Sequence, residues 1–207
     1  METILVLTNF SRSARNAAEA AVDLASKLGS GVLLLHTYVA KPLVSLDHVS
    51  DWPFGDMPLT QEESLAYLEE ERSYLQEKLN NKVTLIHKPE LSITQKEGSL
   101  ANHINKLQKE KNIKLIFMGG GQHEFLFGNH VRSLVDEISC LLMIIPVDSG
   151  IIDYKNVCFA TDLNKADLIR IKFLSKYLQP LYTQLHICHV SVPNLIPDIL
   201  EEDLVPA

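Results

Sequence analysis

The amino-acid sequence predicts an α/β fold: an open parallel five-stranded Rossmann-like sheet with helices on both faces, plus a partial second copy of its first βαβ unit. Three observations predict it. Short strand-like runs that are apolar throughout alternate with segments of helical spacing over residues 1–147. Such runs belong in parallel sheets covered on both faces by helices. Sliding the sequence by 153 residues lays 157–192 over 4–39 without a gap, the mark of a duplicated unit.

The elements follow in order. Thr3 to Leu7 is a short apolar β run. Ser11 is placed to cap a helix, and Ala14, Ala17, Ala18, Ala21, Leu24, Ala25 and Leu28 repeat at helical spacing. The small alanines predict close packing of that helix on the sheet. Gly29 ends it, and Gly31 to Thr37 is a second strand. Residues 40 to 60 contain Pro42, Pro53, Gly55 and Pro58 and read as a long loop. Gln61 to Leu79 is a charged amphipathic helix and Lys82 to His87 a third strand. Ser99 to Lys111 is helical, and Ile113 to Met118 is a fourth strand. A glycine-rich loop and a helix from about Asn129 to Ile138 follow. Leu141 to Ile145 is the fifth strand, closed by Pro146. Connections of this kind are right-handed crossovers. Open sheets of this class bind ligands beyond the carboxyl ends of the strands, where strand order reverses.

In the duplicated segment Thr8 falls on Thr161, Asn9 on Asp162, Leu28 on Leu181, His36 on His189 and Val39 on Val192. The predicted organisation is one complete domain over 1–147 and a partial second domain over 153–207.

Composition narrows the function. The formal net charge is −7 with no long basic run, which argues against non-specific nucleic-acid binding. Cys140, Cys158 and Cys188 are odd in number and lack CxxC spacing, so they read as buried, reduced thiols. The chain enters its first strand without the features of a signal peptide, and its apolar runs are too short to span a bilayer. These observations predict a cytoplasmic protein without membrane association.

The segment ILVLTNFSRSARNAAEAAVDLASKLGSGVLLLHTY resembles the opening of a universal stress protein domain. LIFMGGG…FGNHVRSLVDEISCLLMIIP resembles the closing segment of such a domain: a strand, a glycine loop of pattern Gly-x2-Gly-x9-Gly-Ser/Thr, a helix and a last strand ending in Pro. NVCFATDLNKADLIRIKFLSKYLQPLYTQLHICHV resembles the opening again. The resemblance implies a tandem protein whose second domain is partial. It also implies an adenine-nucleotide crevice formed by Thr8, Asn9, Thr37, Met118, Gly119, Gly121, Gly128, Asn129 and His130, with ATP as the ligand.

The residues depart from the family pattern at several of these positions. The aspartate after the first strand is Asn9, the proline before the threonine is Leu7, and the residue after the last glycine is Asn129. An amide forgoes the charge-assisted bond of a carboxylate. Eight residues lie between Gly119 and Gly128, where the family pattern has twelve. Phe125, Leu126 and Phe127 stand at the tip of the shortened loop, and Glu124 repels an anion. The nucleotide site therefore reads as degraded. The second copy keeps Thr161 and Asp162 but is followed by no glycine loop.

Other candidates carry less. Asp47, His48 and Asp51 lack a metal-ligand spacing. His186 and Cys188 share one face of a strand while His189 points the other way, so the three cannot converge. No catalytic constellation stands out, and the glutamates of 61–79 read as a solvated face, with Glu69 and Arg72 as its one supporting pair. The apolar run LLMIIP at a sheet edge invites pairing with another chain, which predicts a homodimer through strand 141–145. The expected function is a non-catalytic stress-response module acting through dimerisation or protein contacts. The alternative is an ATP-binding protein, with or without slow hydrolysis.

Overall fold

A computed structural model describes residues 2–38, 59–82, 86–120, 134–135, 137–149, 152 and 154–190. Contacts divide the chain into two units, Met1–Ile152 and Asp153–Ala207.

The first unit runs β1 (Thr3–Leu7), α1 (Arg12–Leu28), β2 (Gly31–Tyr38), α2 (Gln61–Asn80), β3 (Leu91–Glu97), α3 (Leu100–Lys111), β4 (Ile113–Gly120) and β5 (Leu141–Pro146). Leu134, Val135 and Glu137 are helical. The five strands form one sheet in the order β3-β2-β1-β4-β5, parallel throughout. Ile4 to Leu7 of β1 and Val32 to Leu35 of β2 are buried on both faces, which explains why these central strands carry unbroken apolar runs.

Alternation along the strands sends side chains to opposite layers. Leu5, Leu7, Leu33 and Leu35 pack with Ala101, Ile104 and Leu107 of α3 and with Leu134. α1 packs on β1, β4 and β5, and α2 on β2 and β3. Ser11 caps α1 by accepting from the Ala14 amide, and Gly29 ends it in the left-handed conformation, φ 67°. Ala17, Ala18, Ala21 and Ala25 of α1 have no exposed surface, as close packing of small side chains requires. α2 opens with a capping box between Thr60 and Glu63.

α1 and α2 are joined by a row of charges. Arg15 donates from Nε and Nη2 to Glu71 Oε2 at 3.0 and 2.9 Å, and its guanidinium lies 5.0 Å from the Tyr74 ring centroid. Tyr74 donates to Glu19 at 2.6 Å. Glu19 also pairs with Lys78, and Asp23 pairs with Lys82. Burial alone would raise the Glu19 carboxyl, but the hydrogen bonds from Lys78 and Tyr74 hold it below its ordinary range. Glu69 and Arg72 do pair, at 2.5 Å.

The structure corrects three expectations. The strand that pairs with β2 at the sheet edge is Leu91–Glu97; Val83, Thr84 and Leu85 of the expected strand Lys82 to His87 lie outside the described residues. β3 is an edge strand whose residues are half-buried or exposed and mix polar with apolar types, so it lacks the unbroken apolar run that marked the other strands. The glutamates of α2 are not all solvated: Glu71 is 2 % exposed and is held by Arg15. Cys158 and Cys188 are exposed, and Cys140 is partly exposed.

The second unit contains β6 (Asn156–Ala160), α4 (Asp167–Leu178), a 3-10 turn at Gln179–Leu181 and β7 (Gln184–Cys188). β6 and β7 pair in parallel, Asn156 facing Gln184 and Ala160 facing Cys188. Among the described residues, no helix is long and apolar enough to cross a membrane.

Candidate functional site

The strand order reverses between β1 and β4: the chain steps outward from β1 through β2 to β3, then returns to place β4 on the other side of β1. In an open α/β sheet, the crevice at such a point beyond the carboxyl ends is where ligands sit. Here Leu7 of β1 is paired with Met118 of β4 on one side and Leu35 of β2 on the other. Thr8 and Asn9 thus leave β1 beside Met118 and Gly119. Thr37 sits near the end of β2 and pairs with Lys96 of β3. Five of the nine predicted site residues therefore lie at one end of the sheet. Gly121, Gly128, Asn129 and His130 lie outside the described residues, as do Asp47, His48 and Asp51.

The β1–α1 turn is built by its own side chains. The Thr8 amide donates to Leu35 O at 3.0 Å. Thr8 Oγ1 accepts from the Phe10 amide at 3.0 Å, and Phe10 is left-handed, φ 64°. Asn9 Oδ1 accepts from the Ser11 amide at 3.2 Å and from the Ser11 hydroxyl at 2.6 Å. Ser11 Oγ in turn accepts from the Ala14 amide at 3.3 Å. The Asn9 oxygen is thus committed to shaping the start of α1, as short polar side chains do at turns.

Gly119 is fixed by packing. A Cβ on it would stand 2.3 Å from Ser13 C, 2.5 Å from Ala14 N and 2.6 Å from Ser13 O. Only a glycine lets β4 approach the first turn of α1 so closely.

The sequence did not single out the aromatic cluster beside the turn. The Phe10 ring centroid lies 4.6 Å from that of His36 and 5.3 Å from that of Tyr67. His36 Nδ1 donates to Thr8 O at 2.8 Å. Burial pushes the His36 pKa below its ordinary value, with the Thr8 bond opposing. The clue available in the sequence was a histidine following the apolar run of β2.

The same bonds recur 153 residues later. The Thr161 amide donates to Cys188 O at 2.9 Å, and His189 Nδ1 lies 2.9 Å from Thr161 O. Thr161 Oγ1 accepts from the Leu163 amide at 2.9 Å, and Leu163 has φ 64°. Asp162 Oδ1 accepts from the Asn164 amide at 3.1 Å. His186 instead meets Asn156 at 3.2 Å, so His186, Cys188 and His189 do not converge. Among the described residues, no group of three or more His, Cys, Asp or Glu side chains is arranged to hold a metal ion.

Comparison with known proteins gives a consistent result. A universal stress protein from Archaeoglobus fulgidus is 14 % identical, with a TM-score of 0.51 over 70 % of this chain and 93 % of that one. A universal stress protein from the same organism in complex with dAMP is 14 % identical, with a TM-score of 0.48 over 70 % of this chain and 97 % of that one. An Arabidopsis thaliana universal stress protein family protein with AMP bound is 15 % identical, with a TM-score of 0.43 over 70 % of this chain and 92 % of that one. No curated protein sequence matches. Residues 1–146 match the family model described as the Universal stress protein family, and the chain therefore belongs to that family.

Proposed function

We propose that the chain is a non-catalytic universal stress protein module that acts through protein contacts and dimerisation, and that its nucleotide crevice is degraded. One observation carries this reading. The two residues most expected to meet a ligand already have structural partners: Asn9 Oδ1 holds Ser11, and Gly119 makes room for α1. Neither needs a nucleotide to account for it. The amide at Asn9 also forgoes a charged hydrogen bond, a difference of roughly 0.5–2 kcal/mol.

The dimer reading rests on β5. It is an edge strand with Leu141 to Ile144 partly exposed, and an apolar edge of this kind is covered by a partner. Light scattering on micromolar protein is expected to return twice the chain mass, and a clean monomer would refute the dimer. The repeated turn supports reading 153–207 as a partial second copy of the domain.

A second reading has its own support. Thr8, Asn9 and Gly119 do lie at the switch point of the sheet, where adenine nucleotides such as ATP would bind in this architecture. Calorimetric titration with ATP and Mg²⁺ separates the two. Under the first reading the native chain shows no saturable binding below millimolar ATP. Stoichiometric nucleotide in purified protein overturns that reading in favour of the second.

A further inference from the structure

The second unit carries a thiol pair that neither the fold nor the crevice uses. Cys158 of β6 faces His186 of β7, and Cys188 faces Ala160. The two cysteines are thus diagonal neighbours on one face of the two-stranded sheet. The Cys158 thiol donates to Cys188 Sγ, with the sulfurs 3.0 Å apart and both residues exposed.

The face itself differs from its counterpart in the first unit. At a spacing of 153 residues, Leu5, Leu33 and Leu35 correspond to Cys158, His186 and Cys188. The leucines lie in the apolar core under α3. In the second unit the corresponding positions present two thiols and an imidazole on an exposed surface.

We propose that Cys158 and Cys188 form an oxidisable dithiol, a modification site at which peroxide closes an internal disulfide between β6 and β7. One sulfur, as its thiolate, attacks the O–O bond of a hydroperoxide. An S–O bond forms, the O–O bond breaks, and the leaving oxygen takes a proton and departs as water or an alcohol. The neighbouring thiol then attacks the sulfenic sulfur. The S–O bond breaks, an S–S bond forms, and the second oxygen leaves as water with the thiol proton. The peroxide is reduced by two electrons and the pair is oxidised by two. The sulfurs close from 3.0 Å to about 2.05 Å.

The test treats the full chain with a small molar excess of hydrogen peroxide, followed by intact-mass measurement and peptide mapping under non-reducing conditions. The expected result is loss of two hydrogens, mapped to a Cys158–Cys188 cross-link and reversed by dithiothreitol. Cys140→Ser is expected to leave the cross-link intact, and Cys158→Ser or Cys188→Ser to abolish it. If the native chain instead accumulates sulfinic acid at Cys158 or Cys188, or joins to other chains through them with no internal cross-link, the proposal fails. The decisive readout is on the native chain, so misfolding of a variant leaves the test valid.

Discussion

Replacing Gly119 by alanine places a methyl group against backbone. The added Cβ would lie 2.3 to 2.6 Å from three main-chain atoms of Ser13 and Ala14, where carbon atoms normally rest about 3.5–4.0 Å apart. A side chain could swing aside, but the first turn of α1 cannot. It is tied down by the Ser11 cap and by Ala14, 3 % exposed, and Ala17, fully buried. The helix start must therefore retreat by on the order of 1 Å, at an overpacking cost of about 3 kcal/mol, the upper end of the usual range. A stiffer unfolded chain returns about 0.4–1 kcal/mol, leaving a net loss of about 2–3 kcal/mol. Gly31 is the matched control on β2. A Cβ there meets Glu90 O at 3.6 Å and Thr3 Oγ1 at 4.0 Å, ordinary contacts. Gly31→Ala is expected to be neutral or slightly stabilising. Urea unfolding followed by circular dichroism measures both. With a slope of about 1–3 kcal/mol per molar urea, Gly119→Ala lowers the midpoint by roughly 0.7–3 M. A Gly119→Ala unfolding free energy within about 0.5 kcal/mol of the native protein's would refute the packing account of Gly119.

Three further outcomes follow from the same geometry. Arg15→Met strands Glu71 at 2 % exposure; because Arg15 itself is 43 % exposed and partly screened, the expected loss in urea unfolding is about 1–2 kcal/mol, and Glu71→Gln should cost less. His36 has a folded pKa below its unfolded value, so the unfolded chain binds the extra proton. Its contribution is complete above the unfolded value of about 6.5 and is lost as pH falls towards the folded one; His36→Gln should flatten the stability profile just below about pH 6.5, as read by denaturant titrations at a series of pH values. Asn9→Asp restores a carboxylate at the crevice; under the degraded-site reading it raises ATP affinity by up to about thirtyfold on calorimetry, in line with the roughly 0.5–2 kcal/mol gained from a charged acceptor.

What the sequence revealed tracks how strongly burial constrains each segment. β1, β2 and β4 are interior, β5 keeps an apolar run although it lies at an edge, and these runs marked the four strands to within one or two residues. α1 announced itself through Ser11, its alanines and Gly29, each tied to a local physical requirement. β3 was missed because Leu91–Glu97 mixes polar with apolar residues and carries no unbroken apolar run, as a half-buried edge strand allows. That Thr8, Asn9 and Gly119 come to one end of the sheet was legible, as the parallel order requires. Their present roles were not legible. That Asn9 holds Ser11, or that Gly119 touches Ser13, depends on contacts across elements that no local pattern encodes. The burial of Glu71 was hidden for the same reason: its partner lies 56 residues away.

The charged row between α1 and α2 resolves an ambiguity that the apolar residues leave open. Leu68 and Leu75 of α2 are both buried and stand seven residues apart, close to two helical turns. A slide of α2 by two turns sets Leu68 in the place of Leu75, or Leu75 in that of Leu68, so one leucine of the pair stays on the seam. The ions do not tolerate the slide. Moved one way, Glu71 comes to face Glu19; moved the other, Lys78 comes to face Arg15. The leucines hold the helix against the sheet, and the sign of each charge selects its longitudinal address.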